Sequence, residues 1–197
     1  MTATAISGTN MRVLLARRPV AEPSLNDFEF SRVPVRDPGD GEVLVRTVYL
    51  SIDPYMRGRM RDTKSYTAPV QIGDVMVGGV VGEVVATRSD RLQVGDIVEG
   101  RLGWQEYATA RAHELRVVDP DLAPITTALG VLGMPGLTAY FGLLEVGCPH
   151  RDETVLVSAA SGAVGGVVGQ IARLQGCRAT GIVGSVPKRD YALTELG

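Results

Sequence analysis

A glycine-rich stretch, Ala-Ala-Ser-Gly-Ala-Val-Gly-Gly at residues 159–166, has the clearest chemical potential in this sequence. It follows a short apolar run and precedes an amphipathic one. In that context, glycines let the backbone turn tightly and approach a pyrophosphate, while the helix N-terminus faces the anion. The pattern predicts a dinucleotide-binding turn in which Gly162 and Gly165 adopt positive φ; a purely structural turn is the alternative. The candidate cofactor-binding residues here are Ser161, Gly162, Ala163, Val164 and Gly165.

A second segment bears on which dinucleotide would bind. Enzymes that use NAD place Asp or Glu on the ribose hydroxyls, roughly twenty residues after the glycine turn. This chain has Gly184 and Ser185 there, and Lys188 and Arg189 follow within one helical turn. A hydroxyl and a cation suit a 2′-phosphate that an acid would repel, so the sequence predicts NADPH as cofactor, bound by Gly184, Ser185 and Lys188. A solvated helix face is the alternative for both basic residues, and we favour it for Arg189.

The sequence lacks the residue patterns that a metal site or a hydrolase would need. The only cysteines and histidines are Cys148, Cys177, His113 and His150, without the paired spacing of zinc ligands, so no metal site is predicted. The serines near the glycine turn are not in a Gly-x-Ser-x-Gly elbow, which disfavours a hydrolase.

Composition limits the partners. The 197 residues are 45% hydrophobic and 21% charged, with a net charge of −2 and no dense basic block, which disfavours nucleic-acid binding. No signal peptide or bilayer-spanning apolar run is evident. We therefore expect a cytoplasmic protein that does not bind membranes and keeps its cysteines reduced.

The elements that would position these residues fall into two parts. Residues 12–118 contain short β segments separated by Gly, Pro and Asp, including strands at 77–85 and 94–98, which indicates a strongly curved, barrel-like β domain. We predict a flexible N-terminus at 1–11, the β-barrel domain at 12–121, and linking helices with the start of a parallel α/β domain at 122–197.

In the second part, residues 122–147 predict two helices that flank a sharp turn at 133–136. A strand buried on both faces follows at 154–158, and then a helix stopped by Gly176. A second strand at 178–184 leads to a helix capped by Ser185. The apolar stripe of the first of these helices is predicted to be Val164, Val167, Val168, Ile171 and Leu174. A full dinucleotide fold needs about six parallel strands, and two are present, so the class is α/β with a truncated Rossmann domain.

Four ordered motifs carry a family resemblance that covers nearly the whole chain after its first ten residues. They lie at 49–60, 75–79, 130–140 and 160–165. Together they resemble the zinc-free prostaglandin reductase/leukotriene B4 dehydrogenase branch of the medium-chain dehydrogenases/reductases, in particular its bacterial NADPH-dependent curcumin reductases. The resemblance implies a GroES-like β-barrel domain, a Rossmann domain, and an active site between them.

The same resemblance implies NADPH-dependent reduction of the C=C bond of enones and enals without a metal. It places Met134 and Thr138 against the nicotinamide. It places Tyr55 in the enone pocket, although packing within the barrel is an equal alternative for this aromatic. Asp53 is interpreted as a turn residue before Pro54, and no catalytic proton donor is assigned.

The resemblance also leaves alternatives open. The later Rossmann strands of the family are missing from the chain, so we expect these 197 residues alone to be inactive and either poorly stable or self-associating. A homodimer is expected for the full-length protein. Other readings are a non-catalytic NADPH-binding remnant, a zinc-free quinone or carbonyl reductase, and an alcohol dehydrogenase, the last disfavoured by the lack of zinc ligands.

Overall fold

The computed structural model describes residues 8–197, which form two compact units divided between Thr126 and Thr127. The predicted domain boundary after residue 121 stays a prediction. Of the predicted flexible segment 1–11, residues 1–7 lie outside the described residues, but the first strand begins at Thr9, so the prediction is wrong at its C-terminal end. The reason is Asn10, whose buried side chain donates to Tyr107 O at 2.8 Å and accepts from Tyr107 N at 3.0 Å.

The first unit is antiparallel β structure. Its strands are β1 (Thr9–Leu15), β2 (Phe28–Pro34), β3 (Glu42–Leu50), β4 (Val80–Thr87), β5 (Ile97–Gly100), β6 (Tyr107–Arg111) and β7 (Arg116–Val117). Strands β1 and β2 pair with each other, and the other five form a sheet in the order β6-β3-β4-β5-β7. Among the described residues of this unit, a short α-helix, α1 (Tyr55–Arg59), and 3₁₀ turns at Leu25–Asp27 and Ala112–Glu114 lie between the strands.

The strong curvature predicted from the glycines stays a prediction, but the pairing of β3 and β4 has the irregular register that accompanies such curvature. Their register shifts twice, and Gly82 lies opposite Thr47 at one shift. A Cβ at Gly82 would lie 2.5 Å from both Arg46 O and Val45 Cγ1, so only glycine permits this approach. The predicted strand limits were too early, because β4 begins at 80 and β5 at 97. Gly95 has φ +96, which makes the residues before β5 a turn.

Two hydrophobic clusters form the interior of the first unit. One joins the sheet strands around Val43, Val45, Val84 and Val98. The other packs α1 beneath β1, with Leu15, Met56, Met60, Val70 and Met76 buried.

The second unit contains a parallel β-α-β arrangement. Strand β8 (Thr154–Val157) is followed by α3 (Ala163–Leu174), β9 (Arg178–Gly181) pairs with β8 in parallel, and α4 (Val186–Thr194) follows. Helix α2 (Met134–Tyr140) continues into a π-helical turn at Phe141–Gly147 and packs against α3. None of the described helices combines the length and apolar character needed to cross a membrane.

The predicted turn at 133–136 is wrong except at Gly133. A 3₁₀ segment, Ile125–Leu129, replaces the first predicted helix, and α2 begins at Met134 with Pro135 in its first turn. Proline fits there because the first N–H groups of a helix need no intrahelical acceptor. A Cβ at Gly136 would overlap Val131 O, so the glycine serves close backbone packing.

Two burial predictions in the second unit are also corrected. Val164 and Leu174 are exposed, Leu174 to 85%, and the buried face of α3 instead contains Gly165, Gly166 and Ala172. In β8 only Val157 is buried, and Leu156 is 65% exposed, so the face of the strand on which Leu156 lies is not covered by the described residues.

The predicted helix ends are confirmed. Gly176 has φ +80 directly after α3, and Ser185 is the N-cap of α4. The second strand, predicted to reach 184, ends at Gly181. Cys148 and Cys177 are free thiols.

Candidate functional site

The glycine turn joins β8 to α3, but its left-handed residue is not a glycine. Gly162 is the N-cap of α3 with φ −85 and ψ 172, and Gly165 lies inside the helix without positive φ. The residue with positive φ is Ala159, at +49. The prediction of positive φ for the two glycines is therefore wrong; the turn closes through Gly162 N, which donates to Ala159 O at 2.8 Å.

Gly165 is needed for close packing of the helix on its own turn. A Cβ at this position would overlap Ala159 O and lie 3.0 Å from Ala160 Cα. At Gly162 an added Cβ would lie 3.1 Å from Ala159 O. Any side chain at 165 would therefore push the first turn of α3 away from the end of β8.

The N-terminus of α3 has unpaired donors suited to an anion. Gly162, the N-cap, has no side chain to accept from the first amide groups of the helix, and the first helical bond runs from Gly166 N to Gly162 O at 2.8 Å. The amide groups of Ala163, Val164 and Gly165 precede that bond, where a helix leaves its N–H groups without intrahelical acceptors. Ala163 and Val164 are exposed, and Ser161 is half-buried.

The second predicted segment lies at the same edge of the parallel pair. Gly184 and Ser185 follow the carboxyl end of β9, as the glycine turn follows that of β8. Neighbouring parallel strands end at one edge, which is where ligands bind in such sheets. Ser185 Oγ accepts from Lys188 N at 3.4 Å, and Gly184, Ser185 and Lys188 are exposed.

Lys188 and Arg189 differ in their ion pairs. Arg189 donates to Asp190 Oδ1 through Nη2 at 2.7 Å and through Nε at 2.9 Å, so its guanidinium is already paired with a carboxylate. Lys188 has no ion pair within 4.0 Å among the described residues. These contacts favour Lys188 as the cation for a phosphate, and its role stays a prediction.

Met134 and Thr138 share one face of α2. Thr138 Oγ1 donates to Met134 O at 2.7 Å, one turn back, and both residues are exposed. The buried residues of α2 are Pro135, Gly136 and Ala139. The exposed face is thus available to a ligand, and its contact with a nicotinamide stays a prediction.

Tyr55 lies in the first unit, at the start of α1. It is half-buried against the cluster that contains Met56 and Met60, a contact that favours the packing alternative. Burial, and secondarily the charge of Asp53, raises the pKa of its phenol above the ordinary value of 10.0. The phenol is protonated at neutral pH at either value, so it can donate a hydrogen bond. Asp53 O accepts from Met56 N at 3.1 Å, in keeping with a turn role.

Two features of the site had no signal in the sequence. They are the left-handed backbone of Ala159 and a hydrogen bond from Ala160 N to Ile182 O at 3.1 Å, which joins the two strand ends. Alanine carries no preference for positive φ, and a backbone bond leaves no trace in residue types. Within residues 8–197, no three His, Cys, Asp or Glu side chains are grouped to hold a metal ion.

An antiparallel β unit followed by a parallel β-α-β unit with this turn defines the medium-chain oxidoreductase class, in which a GroES-like domain precedes a Rossmann domain. The chain belongs to the family described as the N-terminal domain of oxidoreductase, whose model matches residues 11–118.

Individual relatives agree with this class. The NADPH-dependent curcumin reductase of Escherichia coli is 48% identical over 188 residues, which are 95% of this chain and 54% of that protein. The NADP(+)-dependent 2-alkenal reductase of Nicotiana tabacum is 40% identical over 96% of this chain and 57% of that protein. The crystal structure of CurA from Vibrio vulnificus in complex with NADPH superposes with a TM-score of 0.90 at 46% identity, over 95% of this chain and 56% of that one. The chain thus spans about half the length of the curated relatives it matches.

Proposed function

We propose that the chain belongs to an NADPH-dependent reductase of the C=C bond of α,β-unsaturated ketones and aldehydes. One observation carries the proposal: the uncapped N-terminus of α3 and the acid-free, lysine-bearing segment after β9 follow adjacent ends of two paired parallel strands. The curcumin and 2-alkenal reductases among the relatives support the choice of substrate class.

The residues present fit the cofactor. The tight packing at Gly165 holds the amide groups of α3 at the end of β8, where they can bind the pyrophosphate. Ser185 and Lys188 supply a hydroxyl and a cation for the 2′-phosphate, and no carboxylate of residues 181–188 would repel it. NADH lacks that phosphate and would forgo these contacts.

Bound NADPH would supply a hydride to the β-carbon of the substrate. In the proposal, Met134 and Thr138 hold the nicotinamide from the exposed face of α2. Tyr55 is proposed to line the enone pocket, and the alternative is packing within the first unit, which its contact with the cluster of Met56 and Met60 favours. The donor of the proton to the α-carbon is left unassigned.

The reaction is tested with the full-length gene product, NADPH and a simple enone. The expected product is the saturated carbonyl, with one NADPH oxidised per double bond. An alcohol that retains its double bond would instead identify a carbonyl reductase, and NADPH binding without turnover of enones, enals or quinones would identify a binding protein. A preference for NADH would contradict the cofactor assignment.

We also propose that the full-length protein is a cytoplasmic homodimer that acts on small molecules and binds neither nucleic acid nor membranes. The net charge of −2 supports the lack of nucleic-acid binding. Sedimentation equilibrium of the full-length gene product would give twice the subunit mass, and a monomer would contradict the dimer.

A further inference from the structure

Ala160 lies between the two segments proposed to hold the phosphates, and there is no spare room on either side of it. A Cβ added at Gly165, in α3, would lie 3.0 Å from Ala160 Cα. A Cβ added at Gly181, the last residue of β9, would lie 2.7 Å from Ala160 Cβ. Both separations are shorter than ordinary van der Waals contact, so Ala160 can occupy this position only because residues 165 and 181 are glycines.

Backbone hydrogen bonds fasten Ala160 to the strand that leads to the second segment. Ala160 N donates to Ile182 O at 3.1 Å, and Ile182 N donates to Val157 O at 2.8 Å. Val183, Gly184 and Ser185 follow directly. A shift of Ala160 relative to β9 would therefore change the separation between the N-terminus of α3 and the segment that carries Ser185 and Lys188.

Gly181 is needed for this contact alone. It is not among the glycines with positive φ, so its backbone conformation is open to alanine. Within 4 Å, an added Cβ would meet only the Cβ of Ala160. Both atoms are bonded directly to the backbone, so no side-chain rotation relieves the overlap, and either the turn or the end of β9 must move.

We propose that Gly181 is a positioning residue for 2′-phosphate selectivity, because it sets the separation between the two phosphate-binding segments by accommodating Ala160 Cβ. The inference rests on the proposed function. One ligand carries both the pyrophosphate and the 2′-phosphate, joined through a single ribose, so the covalent linkage limits how far apart the two segments can lie if both groups are to be bound. Gly181 itself contacts neither group; it acts through Ala160.

The test measures binding, by isothermal titration of the full-length gene product with NADP⁺ and with NAD⁺. The quantity compared is the ratio of the two dissociation constants. Four proteins are needed: the wild type, Gly181→Ala, the double variant Ala160→Gly with Gly181→Ala, and Gly169→Ala. The double variant removes the overlapping Cβ, and Gly169 is the matched control because nothing lies within 4 Å of a Cβ added there.

We expect Gly181→Ala to lower the preference for NADP⁺ on the order of tenfold, the loss for one weakened hydrogen bond to a charged group. The double variant should recover the wild-type preference, and Gly169→Ala should keep it. If Gly181→Ala does not fold, Ala160→Val takes its place, because it crowds the same contact from the other side. A lowered preference for NADP⁺ in that variant supports the inference, and an unchanged preference overturns it.

Other outcomes separate this inference from the function on which it rests. A Gly181→Ala protein that melts at lower temperature but keeps its preference for NADP⁺ would show a merely structural glycine and overturn the inference alone. A wild-type protein that does not bind NADP⁺ would overturn the proposed function as well.

Discussion

Lys188 and Arg189 are adjacent cations with different expected roles. The guanidinium of Arg189 is engaged by Asp190 at 2.7 Å, whereas the exposed Lys188 follows the N-cap Ser185 whose hydroxyl accepts from its amide. A phosphate at this helix start would gain both the ammonium charge and the helix dipole. The geometry therefore favours Lys188, and not Arg189, as the cation that binds the 2′-phosphate.

Lys188→Ala should raise the dissociation constant for NADPH on the order of tenfold, because one charge-assisted hydrogen bond to the 2′-phosphate is lost. NADH, without that phosphate, should bind as before. Fluorescence titration of the full-length gene product with both cofactors measures this. Arg189→Ala is the matched control and should change neither constant; equal effects of the two variants would refute the assignment to Lys188.

Gly165 offers a test of the close packing at the turn. Gly165→Ala would drive a Cβ into Ala159 O, which should lower the free energy of unfolding by about 1–3 kcal/mol and weaken NADPH binding. Gly169→Ala, in the same helix with open space at its Cβ, should be neutral or stabilising. Thermal unfolding and cofactor titration together check both variants. A Gly165→Ala protein as stable as the control would contradict the packing argument.

Residue types predicted the site's location better than its backbone conformation. The spacing of the glycines, the missing acid and the basic pair located both segments in the chain. Positive φ was assigned to glycines because they tolerate it, yet Ala159 has it at +49. The hydrogen bonds from Gly162 N to Ala159 O and from Ala160 N to Ile182 O over-determine this turn, and such tertiary constraints are not encoded in local residue preference.

Among the elements, the connection between β1 and β2 is organised by one carboxylate. Asp27 Oδ2 accepts from Ser24 N at 2.7 Å, and Asp27 Oδ1 accepts from Arg17 Nε at 2.7 Å. The Asp27 side chain is only 5% exposed. The hydrogen bond from Ser24 N, and next the one from Arg17, lower the pKa of Asp27 below its ordinary value of 3.8.

This lowered pKa predicts a pH-dependent contribution to stability. The folded state favours the ionised Asp27, so its contribution is complete above the unfolded value of 3.8 and is lost as the pH falls through the lower folded pKa. Asp27→Asn should therefore be less stable than the wild type near neutral pH, with the difference shrinking in strong acid. Urea unfolding across this range measures it, and a difference that is constant with pH would contradict the role of the ionised carboxylate.

Element limits were predictable where the signal is local and not where pairing decides. Ser185 as N-cap and Gly176 as the stop of α3 follow from the preferences of serine and glycine at helix ends. Burial in β8 and α3 was mispredicted, because an apolar run shows that a segment can be buried but not which neighbour covers it. The π-helical turn at Phe141–Gly147 likewise has no periodicity that separates it from an α-helix.

For the whole molecule, the second unit combines a confirmed fold with a large apolar surface. Leu156 on β8 and Leu174 on α3 are 65% and 85% exposed, although both lie in elements whose sequences are typical of interior packing. Exposed apolar side chains on a two-stranded parallel sheet and its helix promote association in water. This surface predicts that the chain self-associates to an extent that increases with its concentration.

The 197-residue chain is therefore expected to self-associate, and the association should depend on the second unit. Size-exclusion chromatography with light scattering should show species larger than a monomer at micromolar concentration, and Leu156→Thr combined with Leu174→Lys should reduce them.

Leu25→Lys is the matched control, because Leu25 is comparably exposed, at 79%, but lies in the first unit. Since the charge added at Leu25 equals that added at Leu174, a reduction seen only in the double variant identifies the apolar surface rather than net charge as the cause. A monodisperse monomer of the wild-type chain would contradict the prediction, and an equal effect of Leu25→Lys would assign the reduction to the added charge rather than to the loss of apolar surface.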